Sequence, residues 1–140
     1  MVAYELSPVG RFQKILLATD GSDYSAGALR VAVALAAKAG AKLLAITALP
    51  DPSDGVAPEM NAEKRKKAEA ILADVRKAAE PAGVAIETGV RYGHDPYEVI
   101  VKEAKDTAAD VVVMGRRGRR GLARVMLGDA TAKVMGYAPC

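Results

Sequence analysis

Short apolar runs alternate with stretches of helical periodicity along almost the whole chain, and this alternation constrains the fold more than any other feature. Lys14 to Ala18 (KILLA) is a continuous apolar run closed abruptly by TDGSDYS, the pattern of a strand buried on both faces. In the stretch that follows, Ala28, Val31, Ala32, Leu35, Ala36 and Ala39 recur at three- and four-residue spacing, so an amphipathic helix is predicted. Ser22, Asp23 and Ser25 are its candidate N-caps, and Gly40 is its stop. Lys42 to Leu49 repeats the strand pattern, and the proline- and aspartate-rich PDPSDGVAP is a loop. A long helix is predicted from about Met60 to Glu80, burying Ala68, Ile71, Leu72, Val75 and Ala79, with Pro81 and Gly83 behind it. Val84 to Arg91 alternates apolar and polar residues and predicts a strand near a sheet edge. A helix over His94 to Ala109 comes next. The most β-prone segment, Asp110 to Met114, follows it and is predicted to be central. A last helix is predicted from about Gly128 to Gly136.

The order β-α-β-α-β-α-β-α specifies an α/β fold: an open parallel sheet with helices on both faces and right-handed crossovers. With 140 residues and no internal repeat, one domain over 1–140 is expected. Residues 1–11 form an N-terminal extension in which Val2, Tyr4 and Leu6 could add an edge strand or fray.

Composition removes several function classes. The single cysteine, Cys140, allows no internal disulfide and no thiolate cluster, and the single histidine, His94, is a poor basis for a metal site or for general-base catalysis. No apolar run approaches the length of a membrane span, and the opening residues lack the layout of a secretory signal, so a cytoplasmic location is expected. The net charge of +3 permits an anionic partner. Arg116, Arg117, Arg119, Arg120 and Arg124 crowd one stretch, yet no aromatic platform accompanies them, which argues against a nucleic-acid surface. Met114, Met126 and Met135 read as core fillers.

In open parallel sheets, ligands bind beyond the carboxyl ends of strands, where the strand order reverses. Two loops carry unusual chemistry there: Thr19-Asp20-Gly21-Ser22, after the first strand, and Gly115 to Gly128, after the fourth. The second has the pattern Gly115-x2-Gly118-x9-Gly128, with Asp129 opening the final helix. Glycines let backbone approach a ligand, and amides at a helix start bind phosphate. The arginines are either a solvated face or phosphate ligands; Asp20 is either a cap for its helix or an acceptor for ribose hydroxyls or magnesium. Walker and dinucleotide glycine motifs are absent, as is any Ser/His/acid or Cys/His set.

KILLATDGSDYSAGALRVAVALA and ADVVVMGRRGRRGLARVMLGDATAKVMGYAPC together resemble the opening and closing segments of the universal stress protein family, over nearly all of Lys14 to Cys140. The resemblance implies a Rossmann-like, adenine nucleotide alpha hydrolase-like sheet of order 3-2-1-4(-5), in which the family's fifth strand is missing after Cys140: either the chain is shortened or the fourth strand has an uncovered edge. The glycine spacing resembles that of the branch that binds ATP. Carried over, Asp20 would contact ribose, phosphate or magnesium. Ile46 or Thr47 would lie near adenine, and Met114, Gly115, Gly118, Gly128 and Asp129 would line the phosphates, with Arg117 and the Thr19–Ser22 turn around them. The family pattern has Ser or Thr where this chain has Asp129. A carboxylate there implies weaker ATP binding, more dependence on metal, or a shift towards AMP or ADP. The family also implies a homodimer and slow hydrolysis at most. The alternative is a ligand-free interaction module of the same fold.

Overall fold

A computed structural model describes residues 12–55, 57–116 and 128–140 of the protein. Its elements are β1 (Lys14–Ala18), α1 (Asp23–Ala39), β2 (Lys42–Pro50), α2 (Pro58–Ala79), β3 (Ile86–Gly93), α3 (Pro96–Asp106), β4 (Val111–Met114) and α4 (Asp129–Tyr137). The strands form one parallel sheet in the order β3-β2-β1-β4. This is the predicted α/β architecture.

Side chains alternate between the two faces of the sheet, which is how two cores form. Ile15 and Leu17 of β1, with Leu43 and Ala45 of β2, pack against Ala28, Ala32 and Ala36 of α1 and Leu72 and Val75 of α2. Leu16, Ala18 and Ile46 face the other way, onto Ile100 and Ala104 of α3 and Val134 of α4. Leu16 and Leu17 are both fully buried, which explains why β1 reads as an unbroken apolar run. The alanine stripe of α1 lets that helix lie close to the sheet.

Several boundaries and one placement differ from expectation. β4 is not central. Among the described residues it pairs with β1 alone, and all four of its residues are half-buried. Its apolar run reflects helices on both faces, a property that carries no information about lateral position in the sheet. β3 begins two residues late because Pro81 sits in a short 3-10 turn and Gly83 turns the chain with φ 68. α3 stops at Asp106, and Asp110 precedes β4 instead of joining it. The Asp110 carboxylate accepts the amides of Gln13 and Lys14 at 2.8 and 2.9 Å, which ties the start of β4 to the start of β1 and holds its pKa below the ordinary value.

Two side chains expected inside are outside: Val31 is 55% exposed and Met135 71%. In α4 the buried positions are Thr131 and Val134, and Met135, one turn on from Thr131, stays outside the core. No described helix is long and apolar enough to cross a membrane. The proposed strand at Val2 to Leu6, Met126, and Arg117, Gly118, Arg119, Arg120 and Arg124 lie outside the described residues.

Candidate functional site

The two loops singled out from the sequence begin side by side. Ala18, the last residue of β1, stands opposite Ile46 of β2 on one side and Met114 of β4 on the other. β2 and β3 lie to one side of β1 and β4 to the other, so the crossover direction reverses between β1 and β4. That is the topological switch point where a ligand is expected.

The turn after β1 is built by its own side chains. The Thr19 amide donates to the Ile46 carbonyl at 3.1 Å, extending the β1–β2 ladder by one residue. The Gly21 amide donates to Thr19 Oγ1 at 3.2 Å, and the Ser25 hydroxyl donates to the Ser22 carbonyl at 2.9 Å. Ser25 has then used its proton, so the 3.0 Å contact between the two hydroxyls is donated by Thr19. The hydroxyl of Thr19 therefore works inside the turn. Asp20 Oδ1 accepts the Ser22 amide at 2.9 Å, an Asx-type turn at the start of α1. Gly21 has φ 75, and a Cβ there would lie 2.6 Å from Ile71 Cγ1, so both conformation and space require glycine. Of the three predicted N-caps, Ser22 occupies the position with extended backbone, but its side chain makes no capping bond.

Across the crevice, Gly128 precedes α4 and its amide donates to the Arg116 carbonyl at 2.8 Å. Thr131, one turn into α4, donates its hydroxyl to the Gly115 carbonyl, also at 2.8 Å. Both ends of the glycine-rich loop are thus fastened at the tip of β4. Arg116 is exposed there. The Asp129 carboxylate is 82% exposed and pairs with Lys133 at 3.2 Å, raising the Lys133 pKa. Lys133 in turn lies 5.0 Å from the ring centre of Tyr97. Sequence reasoning missed Thr131 and Lys133, and it gave Ser25 only as a candidate helix cap. Thr131 carries a signal that could have found it: a hydroxyl residue on the inward face of a helix whose start carries the loop.

The β2 residues divide. Ile46 is fully buried, and its side chain belongs to the α3/α4 core. Thr47 faces the α1/α2 side with Leu43 and Ala45, and is 4% exposed. Its hydroxyl is buried without a hydrogen-bond partner, and so is that of Ser22. Met114 packs against the α3/α4 core.

His94 stands apart from these groups. It bonds Asp54 at 3.2 Å between the loops after β2 and β3, and that carboxylate raises its pKa above the ordinary histidine value. Among the described residues, no group of three or more His, Cys, Asp or Glu could hold a metal ion. A small cavity at the opposite, amino-terminal edge of the sheet is lined by Lys14, Lys42, Leu44 and Glu87. Its charges are already engaged: Lys42 pairs with Glu87 at 2.7 Å, and Lys14 donates to the Thr107 carbonyl at 3.1 Å. The crevice at the carboxyl edge is therefore the better candidate site.

The family model for the universal stress protein family matches residues 11–140. A universal stress protein of Methanocaldococcus jannaschii is 33% identical over 135 residues, covering 92% of this chain and 79% of the relative. One of Thermus aquaticus is 35% identical over 130 residues, covering 92% and 95%. Among solved structures, a universal stress protein in complex with cAMP superposes with a TM-score of 0.69 at 30% identity, covering 91% of each chain. The universal stress protein UspA of Lactobacillus plantarum superposes with a TM-score of 0.72 at 27% identity, covering 93% of this chain and 94% of that one. Sequence, strand order and superposition agree, and the chain belongs to the universal stress protein family, a family of stress-response proteins.

Proposed function

We propose that this chain binds an adenine nucleotide, either ATP with magnesium or a lower adenine phosphate, in the crevice between β1 and β4. It acts as a regulatory stress-response domain with little or no hydrolysis. The observation that carries this reading is that β1 ends at Ala18 opposite Met114, so the turn into α1 leaves the sheet beside the tip of β4, to which the start of α4 is bonded through Gly115 and Arg116. Helix starts offer unpaired amides and partial positive charge to phosphate. The buried, unpartnered hydroxyls of Ser22 and Thr47 add hydrogen-bonding capacity that the protein itself leaves unused. The 30% identity to a family member solved with cAMP supports a nucleotide as the class of ligand.

In this reading Asp20 takes the ribose or the metal. Thr47, beside Ile46, takes the nucleoside end. Met114, Gly115, Gly128 and Asp129 surround the phosphates, with Arg117 and Gly118 from the loop outside the described residues. Thr19 and Gly21 hold the turn in shape. Magnesium would arrive with the phosphates, since no group of three or more His, Cys, Asp or Glu among the described residues could hold it. When bound, it would neutralise phosphate charge beside Asp129. The same reading includes a cytoplasmic location and a homodimer, formed along the outer edge of β4.

The competing reading is an interaction module that binds no nucleotide, and the carboxylate of Asp129 at the start of α4 favours it. Calorimetric titration with ATP and AMP, with and without magnesium, separates the two. Saturable binding that Asp20→Ala weakens supports the first reading, and no heat with any adenine nucleotide supports the second.

A further inference from the structure

β2 and β3 outrun the rest of the sheet. β1 ends opposite Ile46, but β2 continues, and Thr47 to Pro50 stay paired with Val90 to Gly93 of β3. This two-stranded wing reaches about 13 Å beyond β1, on the edge where the crevice lies. At its tip the two following loops meet. The Asp51 amide donates to the Gly93 carbonyl at 3.1 Å, and His94 Nδ1 lies 3.2 Å from Asp54 Oδ2. The two sides of this contact differ. A Cβ on Gly93 would stand 2.4 Å from Val99 Cγ2, and the amides of Glu98 and Val99 both donate to the Asp95 carbonyl, so His94 sits on a turn packed onto α3. The other side is the single 3-10 turn Pro52–Asp54, which buries none of its residues and is shaped by the Ser53 amide and hydroxyl bonding Asp51 Oδ1. The His94 side chain is 77% exposed, so packing gives no reason for an imidazole there. The charged groups that act with it are Asp51 and Asp54 from the loop after β2, and Asp95 and Glu98 from the start of α3, all of them acidic.

We infer that His94 and Asp54 form a proton-operated clip at the tip of the wing: with its imidazole protonated, His94 holds the turn after β2 against the start of α3, and with the proton gone that turn is released. In the imidazolium both ring nitrogens donate, so Nδ1 meets the Asp54 carboxylate in a charge-assisted bond, whereas the neutral ring keeps one proton and no charge. The bond to Asp54 and its charge raise the proton affinity of the ring, and Asp95 and Glu98 add to the effect. The folded value thus lies above the ordinary histidine value. The clip's stabilisation is complete below the ordinary value and is lost as pH rises through the raised one. The β2 side of the crevice is therefore firmer in mildly acidic conditions and looser in alkaline ones. The clip belongs to the free protein and does not rest on the nucleotide reading.

Amide hydrogen exchange of the free protein tests this, with protection expressed relative to the unstructured chain so that the intrinsic pH dependence cancels. Between about pH 5.5 and about pH 8.5 the carboxylates stay ionised and histidine titrates. Over that range the protection of the Asp51, Ser53 and Asp54 amides should fall about twofold to fivefold, the range of one exposed ion pair. The midpoint of the fall should coincide with that of the His94 ring, followed by NMR. In Asp54→Asn the ring midpoint should drop towards the ordinary histidine value and the fall in protection should disappear. His94→Gln should abolish the fall as well. A ring midpoint that Asp54→Asn leaves unchanged would overturn the proposal. So would protection that does not vary with pH, or a fall that persists undiminished in both variants.

Discussion

The Thr131 hydroxyl donates to the Gly115 carbonyl at 2.8 Å, across a chain separation of 16 residues. Together with the bond from the Gly128 amide to the Arg116 carbonyl, it fastens the start of α4 to the tip of β4. A phosphate cradle made of backbone amides works only if those amides are held in place before the ligand arrives. Thr131 thus positions the candidate site without needing to touch the ligand. Thr131→Val should lower unfolding free energy by about 1 kcal/mol, the net value of one neutral hydrogen bond, and should also weaken nucleotide binding. Urea denaturation and calorimetry read the two effects. Loss of stability with full affinity would show that the bond is structural only.

Gly21→Ala should destabilise the fold by about 1–3 kcal/mol, from a residue forced to positive φ and from collision with Ile71. The two causes are separable. In an Ile71→Ala background the collision disappears and only the backbone cost remains, so the penalty of Gly21→Ala should shrink. Equal penalties in both backgrounds, measured by chemical denaturation, would assign the whole effect to backbone conformation.

Asp129→Ser should raise affinity for ATP more than for AMP. The carboxylate stands at the positive end of α4 and would repel each additional phosphate charge, and Lys133 at 3.2 Å offsets it only in part. We expect a gain of about 10-fold for ATP without magnesium at low salt, shrinking as ionic strength shortens the screening length. Calorimetry at two salt concentrations tests this. Equal changes for both nucleotides would mean that Asp129 lies away from the phosphates.

The sequence made some of this legible and left the rest hidden, for identifiable reasons. Apolar runs such as Ile15 to Ala18 declare burial on both faces, and the stripe Ala28, Ala32, Ala36 declares a helix against the sheet. Both follow from periodicity, and both were found in the structure. Lateral order does not follow from periodicity. Val111 to Met114 reads as central yet is the outer strand of the described sheet, because helices bury its faces as well as neighbouring strands would. The adjacency of β1 and β4 came from the family resemblance, not from the apolar pattern. Hydrogen-bond chemistry was the least legible layer. Thr19, Asp20, Gly21 and Ser22 read as ligand-binding candidates, but the sequence cannot show that Thr19 and Ser25 spend their protons on the turn itself. Nor could it show that Thr47 keeps its hydroxyl unbonded. Those facts depend on which groups the fold brings within 3 Å of one another.

The central claim is that the crevice between β1 and β4 receives an adenine nucleotide. Titrating the 15N-labelled protein with ATP and magnesium and following each amide by heteronuclear NMR tests it most directly. We predict that the amides of Thr19 to Ser22, Thr47, Gly115 and Gly128 to Thr131 shift saturably, while Lys14, Lys42 and Glu87 at the opposite edge stay still. Shifts confined to that opposite edge, or none at all, would contradict the account.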